Sequence, residues 1–355
     1  MKDIKILITG VGSITAESII KSYKVVKERN ITIVGVDIKD FVPNELIDKY
    51  YKVLKPTEEN YIERLLNICK EENIDYLIPL VDQELELLAE NKQLFSKYNT
   101  TICLNDKDKI SLIQDKYELY KYLEKNKISV PKCIKFNNID EFINGCKVLN
   151  YPTNIVCYKP LKSSGSRGFR IIKDNIDYEE YLFNEKPTSK YINYDFLIEG
   201  MKKCKVIPEM MLMEYVAGDL YNVNVLADNG KIIYLVAGKV IRFEIGNTVE
   251  CEIANNKEIY DYCKRIVKLL NLSGNIGFEV AYDSNKELKL IEINPRVQGQ
   301  ITSSTAAGVN FPYYELKMLS QEPLPIIENI MPIKMVRYFK DSFWVEGKIL
   351  KIDGE

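Results

Sequence analysis

The chain of 355 residues contains no histidine. This absence excludes every mechanism that needs a histidine base, a Ser–His or Cys–His pair, or a histidine metal ligand. Chemistry in this chain must therefore depend on carboxylates, lysine, arginine and backbone amides, and a metal that takes part would be a hard ion bound by oxygen atoms.

Paired cysteines and long apolar runs are missing as well. The eight cysteines lie singly, with no C-x-x-C pair, which is typical of reduced and mostly buried thiols in a cytosolic protein. No apolar run approaches the ~20 residues that a membrane-spanning helix requires. The apolar stretch at the N-terminus is too short for a signal peptide. We therefore expect a cytoplasmic protein without a membrane partner.

An excess of charge of one sign is also missing. The chain has 49 basic and 51 acidic residues, with a formal net charge of -2. This balance removes the electrostatic reason to propose a nucleic-acid partner. A chain of this length is expected to fold as two or three domains.

The N-terminal part alternates apolar runs with helical patterns. Ile4–Ile8, Ile31–Val36 and Tyr76–Leu80 predict buried strands, while Tyr61–Lys70 and Gln83–Asn91 have helical spacing. Such alternation predicts an α/β domain with a mostly parallel, Rossmann-like sheet that helices cover on both faces.

Beyond the N-terminal part the pattern changes. Ile110–Asn126 predicts one charged amphipathic helix, and hairpins follow Pro131. Val223–Ala227 and Ile232–Ala237 are predicted strands joined by the tight turn at 228–230. The second half is therefore expected to be an α+β unit with antiparallel sheets. Residues 331–347 predict one last strand whose partner the sequence does not identify.

Glu279, Glu292 and Asn294 form a candidate metal site on a predicted hairpin. If the turn centres between Asn285 and Lys286, Glu279 lies opposite Glu292, with Cβ atoms roughly 5 Å apart. Facing carboxylates repel each other unless a cation or a shared proton relieves the repulsion. Oxygen ligands of this kind suit Mg²⁺ or Mn²⁺. The alternative is that both glutamates face solvent on an exposed hairpin.

A loop and an arginine supply candidate anion-binding groups. Arg296 follows the metal candidates directly and could neutralise charge on a transferring phosphoryl group. Lys159 opens a loop whose small residues let backbone amides approach an anion. Those residues are Ser163, Ser164, Gly165, Ser166 and Gly168. The loop is not a Walker A motif, because no G-K-[ST] and no helix follow it. The alternatives are that Arg296 is an ordinary surface arginine and that the loop is an ordinary exposed turn.

A strand that ends in a sharp turn is a candidate adenine site. Met210–Val216 is apolar except for Glu214 and is followed by Ala217-Gly218. The main-chain groups of Tyr215 and Val216 could contact an adenine edge. Glu214 could accept a hydrogen bond from the exocyclic amine of the adenine. A core strand with one outward glutamate is the alternative.

The order of these segments resembles that of the ATP-grasp superfamily. The resemblance runs from residue 1 to about residue 320 and is greatest to the carbamoyl-phosphate synthase large-subunit and biotin carboxylase branch. It is carried by Asp115-Lys116, Lys159 with its loop, Met213-Glu214-Tyr215-Val216, Glu279, and Glu292-Ile293-Asn294-Pro295-Arg296. It implies a pre-ATP-grasp domain at 1–110, a small lid subdomain at 111–200 and a large subdomain at 201–355.

The resemblance also implies roles for individual residues. Lys116 and Lys159 would contact ATP phosphates, Glu214 to Val216 would hold adenine, and the glutamates with Asn294 would bind one or two Mg²⁺ ions. Arg296 would stabilise the transferring phosphoryl group, and Arg242 is a further candidate for a substrate or γ-phosphate contact. Leu220 stands where many relatives have a ribose-binding glutamate, so Asp219 is the candidate substitute.

The activity implied is ADP-forming ligation of a small-molecule carboxylate to an amine through an acyl phosphate. One module of this length fits a stand-alone ligase, and the family admits a homodimer. An ATP-binding regulatory or scaffold protein with little turnover is the first alternative. A dinucleotide oxidoreductase, based on Gly10-Val11-Gly12 and Asp37, is the second. It lacks the third glycine of the fingerprint, since Thr15 and Ala16 stand there.

Overall fold

A computed structural model of the protein describes most of the chain. The described residues are 1–40, 45–162, 167–174, 190–244, 246–254, 256–338, 341, 343–345 and 348–350. The chain divides into two compact units. Unit 1 comprises Met1–Ile110, Tyr221–Phe278 and Asn294–Glu355, and unit 2 comprises Ser111–Leu220 and Glu279–Ile293. The division at residues 110 and 200 expected from the family stays a prediction.

The first sheet of unit 1 is parallel. Its strands are β1 (Ile4–Thr9), β2 (Ile31–Asp37), β3 (Lys49–Lys52), β4 (Tyr76–Ile78) and β5 (Thr101–Ile102), in the order β3-β2-β1-β4-β5. All of its described pairings are parallel. Parallel neighbours need crossover connections, and helices lie in those between β1 and β2, β3 and β4, and β4 and β5. The prediction of a Rossmann-like N-terminal sheet is confirmed.

Helices cover both faces of this sheet. They are α1 (Ala16–Lys24), α2 (Tyr61–Glu72), a 3₁₀ turn (Asp82–Glu84), α3 (Leu85–Glu90) and α4 (Lys92–Ser96). Leu7 of β1 packs in one core with Leu65 of α2, while its neighbour Ile6 packs in another with Ile19 of α1. Successive side chains of a strand point to opposite faces, so one strand contributes to two cores.

Unit 2 begins within a helical region that differs from the prediction. The sequence predicts one helix over Ile110–Asn126, but the structure has α5 (Lys107–Gln114) and α6 (Lys116–Lys125). Asp115 between them is extended, with φ −89° and ψ 96°, and its side chain accepts hydrogen bonds from the N–H groups of Tyr117 and Glu118. The aspartate therefore caps α6. Lys116 becomes the first residue of that helix.

The sheet of unit 2 is mostly antiparallel. Its strands are β6 (Cys133–Phe136), β7 (Val156–Pro160), β8 (Arg170–Ile172), β9 (Tyr191–Ile192) and β10 (Met210–Glu214), in the order β6-β10-β7-β8-β9. Helices α7 (Ile139–Val148) and α8 (Tyr194–Lys203) belong to the same unit. Phe136, Phe142, Val156 and Leu212 share its hydrophobic core. The predicted change from parallel to hairpin pairing is confirmed.

A second sheet, also antiparallel where pairings are described, follows along the chain. Its strands are β11 (Leu220–Asp228), β12 (Lys231–Glu244), β13 (Asn247–Ile253), β14 (Gly274–Tyr282), β15 (Leu288–Asn294) and β16 (Lys334–Val336), and the helices are α9 (Lys257–Leu269), α10 (Ile301–Ala306) and α11 (Phe311–Leu319). The order is β15-β14-β11-β12-β13-β16. The predicted turn between β11 and β12 is confirmed, since Asn229 and Gly230 both have positive φ.

The C-terminal segment completes this sheet. Its strand β16 pairs antiparallel with β13, with Met335 opposite Cys251, which identifies the partner of the predicted last strand. The segment continues to a short hairpin of β17 (Phe343–Val345) and β18 (Lys348–Leu350). None of the helices in the described ranges is long and apolar enough to span a membrane.

Candidate active site

Lys116 and Glu292 are ion-paired in unit 2. The Lys116 Nζ lies 3.2 Å from Glu292 Oε1, with 9% of the lysine side chain and 28% of the glutamate side chain exposed. The backbone N–H of Lys116 donates to Leu161 O over 3.4 Å, which ties the start of α6 to the segment after β7. The cap at Asp115 and this bond together fix the position of the lysine.

Lys159 is a second buried lysine close to the first. Its Nζ donates to the carbonyl of Ile291 over 3.0 Å and lies 5.6 Å from the ring centroid of Tyr120. Burial lowers the pKa of Lys159, and the positive charge of Lys116 lowers it further. Glu292 and Glu279 raise it in part. The two predicted phosphate lysines and two predicted metal carboxylates thus influence one another electrostatically.

Tyr120 is a site residue that sequence reasoning missed. Its hydroxyl lies 2.8 Å from both the Leu290 carbonyl and the Ile291 carbonyl, and its ring is buried. Tyr120 stands four residues after Lys116, so helical spacing gives both side chains the same face of α6. That spacing is the signal that could have identified it.

The turn of the predicted metal hairpin differs from the expected one. Asp283 N donates to Glu287 O over 2.9 Å, and Lys286 N donates to Asp283 O over 3.0 Å. The turn therefore centres on Asn285, and the predicted centre between Asn285 and Lys286 was wrong by half a residue. Asp283 Oδ1 accepts from two backbone N–H groups of the turn, which favours this longer form.

An irregularity in β15 bears on the register of the two glutamates. Counting back from Asp283 and Glu287 places Glu279 opposite Ile291, one residue short of Glu292. Consecutive carbonyls of a regular strand point to opposite sides, yet those of Leu290 and Ile291 both approach the Tyr120 hydroxyl. Such geometry is typical of a β-bulge, in which one strand gains a residue. One extra residue in β15 would bring Glu292 opposite Glu279.

The predicted phosphate loop is described only at its ends. Ser163, Ser164, Gly165 and Ser166 lie outside the described residues. The loop joins β7 to β8, which are antiparallel. Gly168 has φ +74°, and a Cβ there would lie 2.9 Å from Pro160 Cγ. The two ends of the loop therefore approach each other closely, and only glycine fits at Gly168.

The predicted adenine segment is anchored at both ends. Glu214 Oε2 accepts from Lys132 N over 3.0 Å, and Tyr215 N donates to Ile155 O over 3.0 Å. These bonds hold the Glu214 carboxylate and the Tyr215 N–H. The Tyr215 carbonyl, the Val216 main chain and Glu214 Oε1 are the groups left for the adenine hypothesis, which stays a prediction.

The turn after this segment is joined to the end of β14. Gly218 N donates to Tyr282 O over 3.0 Å, and Tyr282 N donates to Asp219 O over 3.3 Å. A Cβ at Gly218 would lie 2.2 Å from Tyr282 O, so the contact requires glycine. The proposed adenine turn and the hairpin with the glutamates are thus fixed to each other within unit 2.

Unit 1 contains the two predicted catalytic arginines. Arg296 makes a bidentate pair with Asp82, with Nε to Oδ1 at 2.7 Å and Nη2 to Oδ2 at 3.0 Å. Arg242 is half-exposed and pairs with Glu244 and Glu250. Both arginines therefore have carboxylate partners within their own unit. Asp82 is a second residue that sequence reasoning did not assign to the site.

The N-terminal glycine turn does not resemble an open dinucleotide site. Asp37 Oδ2 accepts from Gly12 N over 2.8 Å, and Asp37 Oδ1 accepts from Lys39 N over 3.1 Å. Both oxygens of Asp37 thus bind the backbone around them, whereas a dinucleotide site would present this carboxylate to a ribose. This geometry argues against the oxidoreductase alternative.

The parallel sheet, the two following sheets and the lysine–glutamate cluster are features of the ATP-grasp fold, and this chain is similar to known families in two segments. Residues 206–340 match the family described as ATP-grasp in the biosynthetic pathway with Ter operon. Residues 6–103 match the PylC-like N-terminal domain. The predicted fold class and the predicted resemblance are both confirmed.

Individual relatives are distant. The chain is 22% identical to the tyramine–L-glutamate ligase of Methanocaldococcus jannaschii over 267 residues, which cover 75% of this chain and 70% of that protein. Among solved structures it is similar to the N5-carboxyaminoimidazole synthetase of Staphylococcus aureus complexed with ADP, with TM-score 0.68, 17% identity and coverage of 94% and 82%. It is also similar to the L-amino acid ligase of Bacillus licheniformis, with TM-score 0.66, 14% identity and coverage of 96% and 82%. Structural likeness at these identities shows the fold alone.

Proposed function

We propose that this chain is an ATP-dependent, ADP-forming ligase that joins a small-molecule carboxylate to an amine. The observation that carries the proposal is the cluster in unit 2, where Lys116 meets Glu292 and Lys159 lies buried beside them. Two ammonium groups beside two carboxylates suit a phosphate chain that brings a hard cation with it. The relatives named tyramine–L-glutamate ligase and L-amino acid ligase agree with this class.

The proposed metal ligands fit a magnesium or manganese ion by their chemistry. Glu279, Glu292 and Asn294 offer oxygen atoms only, and both glutamates are half-buried. Asn294 follows Glu292 by two positions on β15, so strand alternation gives them the same face. Among the described residues no group of three or more histidine, cysteine, aspartate or glutamate side chains could hold a metal. A bound ion would neutralise charge on the ATP phosphates.

In the proposed site the chain's own groups bind and orient ATP. Lys116 and Lys159 hold phosphate oxygens as point charges. Glu214 fixes the end of β10 so that Tyr215 and Val216 meet the adenine, and Asp219 takes the ribose. The family resemblance keeps Arg296 and Arg242 as candidates for contacts with the transferring phosphoryl group.

The proposed reaction balances without a histidine base. A carboxylate oxygen attacks the γ-phosphorus and ADP leaves, which gives an acyl phosphate. The amine nitrogen then attacks the acyl carbon, inorganic phosphate departs, and the amine proton passes to the phosphate. Positioning and electrostatic stabilisation provide most of the catalysis in such a transfer.

One observation favours a second candidate function. Arg296 is held by both oxygens of Asp82, which offsets the positive charge that a phosphoryl transfer would use. An ATP-binding regulatory or scaffold protein with little turnover would tolerate this pairing. The two candidates differ in whether any substrate pair stimulates ADP release.

ADP release measured with a coupled assay tests the ligase. Amino acids and other small carboxylates are screened with amines in the presence of Mg²⁺, and at least one pair is expected to stimulate release. Glu292→Ala is expected to abolish the stimulated rate. Glu287→Ala, a change on the exposed turn of the same hairpin, is the matched control and retains it. ATP binding with no stimulation by any pair would instead support the second candidate.

Two other expectations stay predictions. All eight cysteines are free and seven of them are buried, which agrees with the proposed cytoplasmic location. The expectation of a homodimer is based on the family resemblance alone.

A further inference from the structure

We infer that Lys116 makes metal binding conditional on nucleotide. Its ammonium lies 3.2 Å from Glu292 Oε1, an oxygen of the carboxylate that the proposed function assigns to the metal. This inference rests on that proposed function and deepens it. Lys116 then acts as a specificity-determining residue that favours a metal–nucleotide complex over the metal alone.

The charges of the cluster give the first reason. Lys116 and Lys159 contribute two positive charges, and Glu279 and Glu292 contribute two negative charges that influence Lys159. The four groups together are neutral. A bare divalent ion would give this half-buried cluster a charge of +2, beside two ammonium groups that repel it. In a magnesium–ATP complex the negative phosphates would pair with the two ammonium groups, which offsets this repulsion.

The second reason is that the two lysines hold different partners. Lys159 donates to the main-chain carbonyl of Ile291, an oxygen that no metal assignment uses. Lys116 meets the carboxylate of Glu292. Removing the Lys116 charge should therefore release a metal ligand, whereas removing the Lys159 charge only reduces repulsion.

Nucleotide arrival exchanges these partners. Lys116 moves from Glu292 to a phosphate oxygen, and Glu292 then accepts the metal that the phosphates carry. Lys116 exchanges one anionic partner, Glu292, for another, a phosphate oxygen. Glu292 exchanges one cationic partner, Lys116, for the metal. The exchange therefore leaves no buried charge without a partner. Metal and nucleotide must consequently strengthen each other's binding by the same factor.

Manganese binding to the full chain tests the inference without any catalytic readout. Mn²⁺ is titrated into wild type and Lys116→Met without nucleotide, and free Mn²⁺ is followed by electron paramagnetic resonance. Lys116→Met is expected to bind Mn²⁺ about tenfold more tightly than wild type, a change of about 1.4 kcal/mol. A non-hydrolysable ATP analogue is expected to tighten Mn²⁺ binding strongly in wild type and much less in the variant.

Three further variants of the chain serve as controls. Lys121→Met removes an exposed lysine of the same helix that pairs with Glu124, and it should bind Mn²⁺ as wild type does. Lys159→Met should strengthen Mn²⁺ binding less than Lys116→Met does. Lys116→Gln keeps a polar group at the position and should reproduce the effect if Lys116→Met proves unstable to heat.

The possible results separate the inference from the proposed function. If both Lys116 variants bind Mn²⁺ no more tightly than wild type, the inference is overturned. If the inference is overturned but wild type still binds Mn²⁺ with the analogue in a way that depends on Glu292, the proposed metal site stands and only the role of Lys116 is wrong. If Glu292→Gln leaves binding of Mn²⁺ with the analogue unchanged, the proposed metal site itself is wrong.

Discussion

The buried charges of the two units are of different kinds. Among the described residues of unit 2, the buried charged side chains are Lys116 and Lys159. Unit 1 buries three carboxylates as well as two basic side chains. They are Asp37, Glu84, Glu315, Arg29 and Lys317. The difference lies in how completely each group is satisfied by fixed neighbours.

The carboxylates of unit 1 are held by converging donors. Glu84 accepts from the Thr9 hydroxyl, the Tyr61 hydroxyl and Val81 N. Burial raises the pKa of Glu84 to about 7, while these hydrogen bonds lower it. Such a group supports the fold, because each of its donors would lose a partner without it.

Lys159 of unit 2 is held by fewer fixed partners than Glu84. An ammonium has three donors, and within the described part of the chain Lys159 has one hydrogen-bond acceptor, Ile291 O. A buried charge with few fixed partners costs stability and is retained where a ligand supplies the rest. The comparison therefore separates Glu84, which supports the fold, from Lys159, which the proposed function assigns to ATP binding.

Glu84→Met should give the largest effect on stability. It leaves three donors without this acceptor, two of them buried, so the unfolding free energy is expected to fall by about 4 kcal/mol. Urea unfolding measures this, and ATP affinity should not change. Glu90→Met, at an exposed glutamate paired with Lys107, is the control and should stay within about 0.5 kcal/mol. An equally stable Glu84→Met would remove the distinction between the units.

The pH dependence of stability should reveal Glu315. Burial raises the pKa of Glu315 from 4.5 to about 7, against hydrogen bonds from Asn275. Between these values the native state keeps a proton that the unfolded state releases, so stability falls as the pH rises through this window. The contribution is up to about 3 kcal/mol. Unfolding free energies at pH 5 and pH 8 should differ less in Glu315→Gln than in wild type. Equal pH dependence in both proteins would contradict this assignment.

Lys159→Met should separate binding from stability. ATP affinity is expected to fall about 100-fold, or about 2.7 kcal/mol, because a phosphate contact is lost. The unfolding free energy is expected to rise by about 1 kcal/mol, because a buried charge is removed. Calorimetry and urea unfolding measure the two quantities. Lower stability with unchanged ATP affinity would make Lys159 a structural residue like Glu84.

Gly218→Ala should give the smallest effect. The added Cβ would lie 2.2 Å from Tyr282 O, so the turn must move away from the hairpin. We expect ATP affinity to fall about tenfold and stability to fall by about 1 kcal/mol. Gly200→Ala in α8 is the matched control, because a Cβ there meets nothing within 4 Å and alanine favours a helix. Identical behaviour of the two variants would show that the turn does not position the nucleotide.

Patterns of local sequence predicted the fold class well. Mostly apolar runs such as Ile4–Ile8, interrupted only by Lys5, predicted buried strands of a covered sheet, and the structure has a strand there. The break at Asp115 was missed because helical spacing continues through it, while the aspartate acts as a cap. The partner of β16 was missed because edge pairing joins residues far apart in sequence.

The site was predictable as residue types and less so as geometry. Chain order and alternation indicated Lys116, Lys159 and the glutamates. The 3.2 Å contact between Lys116 and Glu292 depends on packing across unit 2 and has no local signal. The turn register was misjudged because Asp283 accepts two backbone hydrogen bonds, a choice that composition alone does not reveal.

Calorimetric titration of ATP into the full chain, with and without Mg²⁺, is the most direct test of the central claim. That claim is that the lysine–glutamate cluster of unit 2 binds a metal–ATP complex. Wild type should bind ATP only weakly without Mg²⁺ and much more tightly with it. Glu292→Gln, at unchanged melting temperature, should lose at least about tenfold of the Mg²⁺-dependent affinity. Equal affinity of the two proteins for MgATP, or no binding by wild type, would contradict the claim.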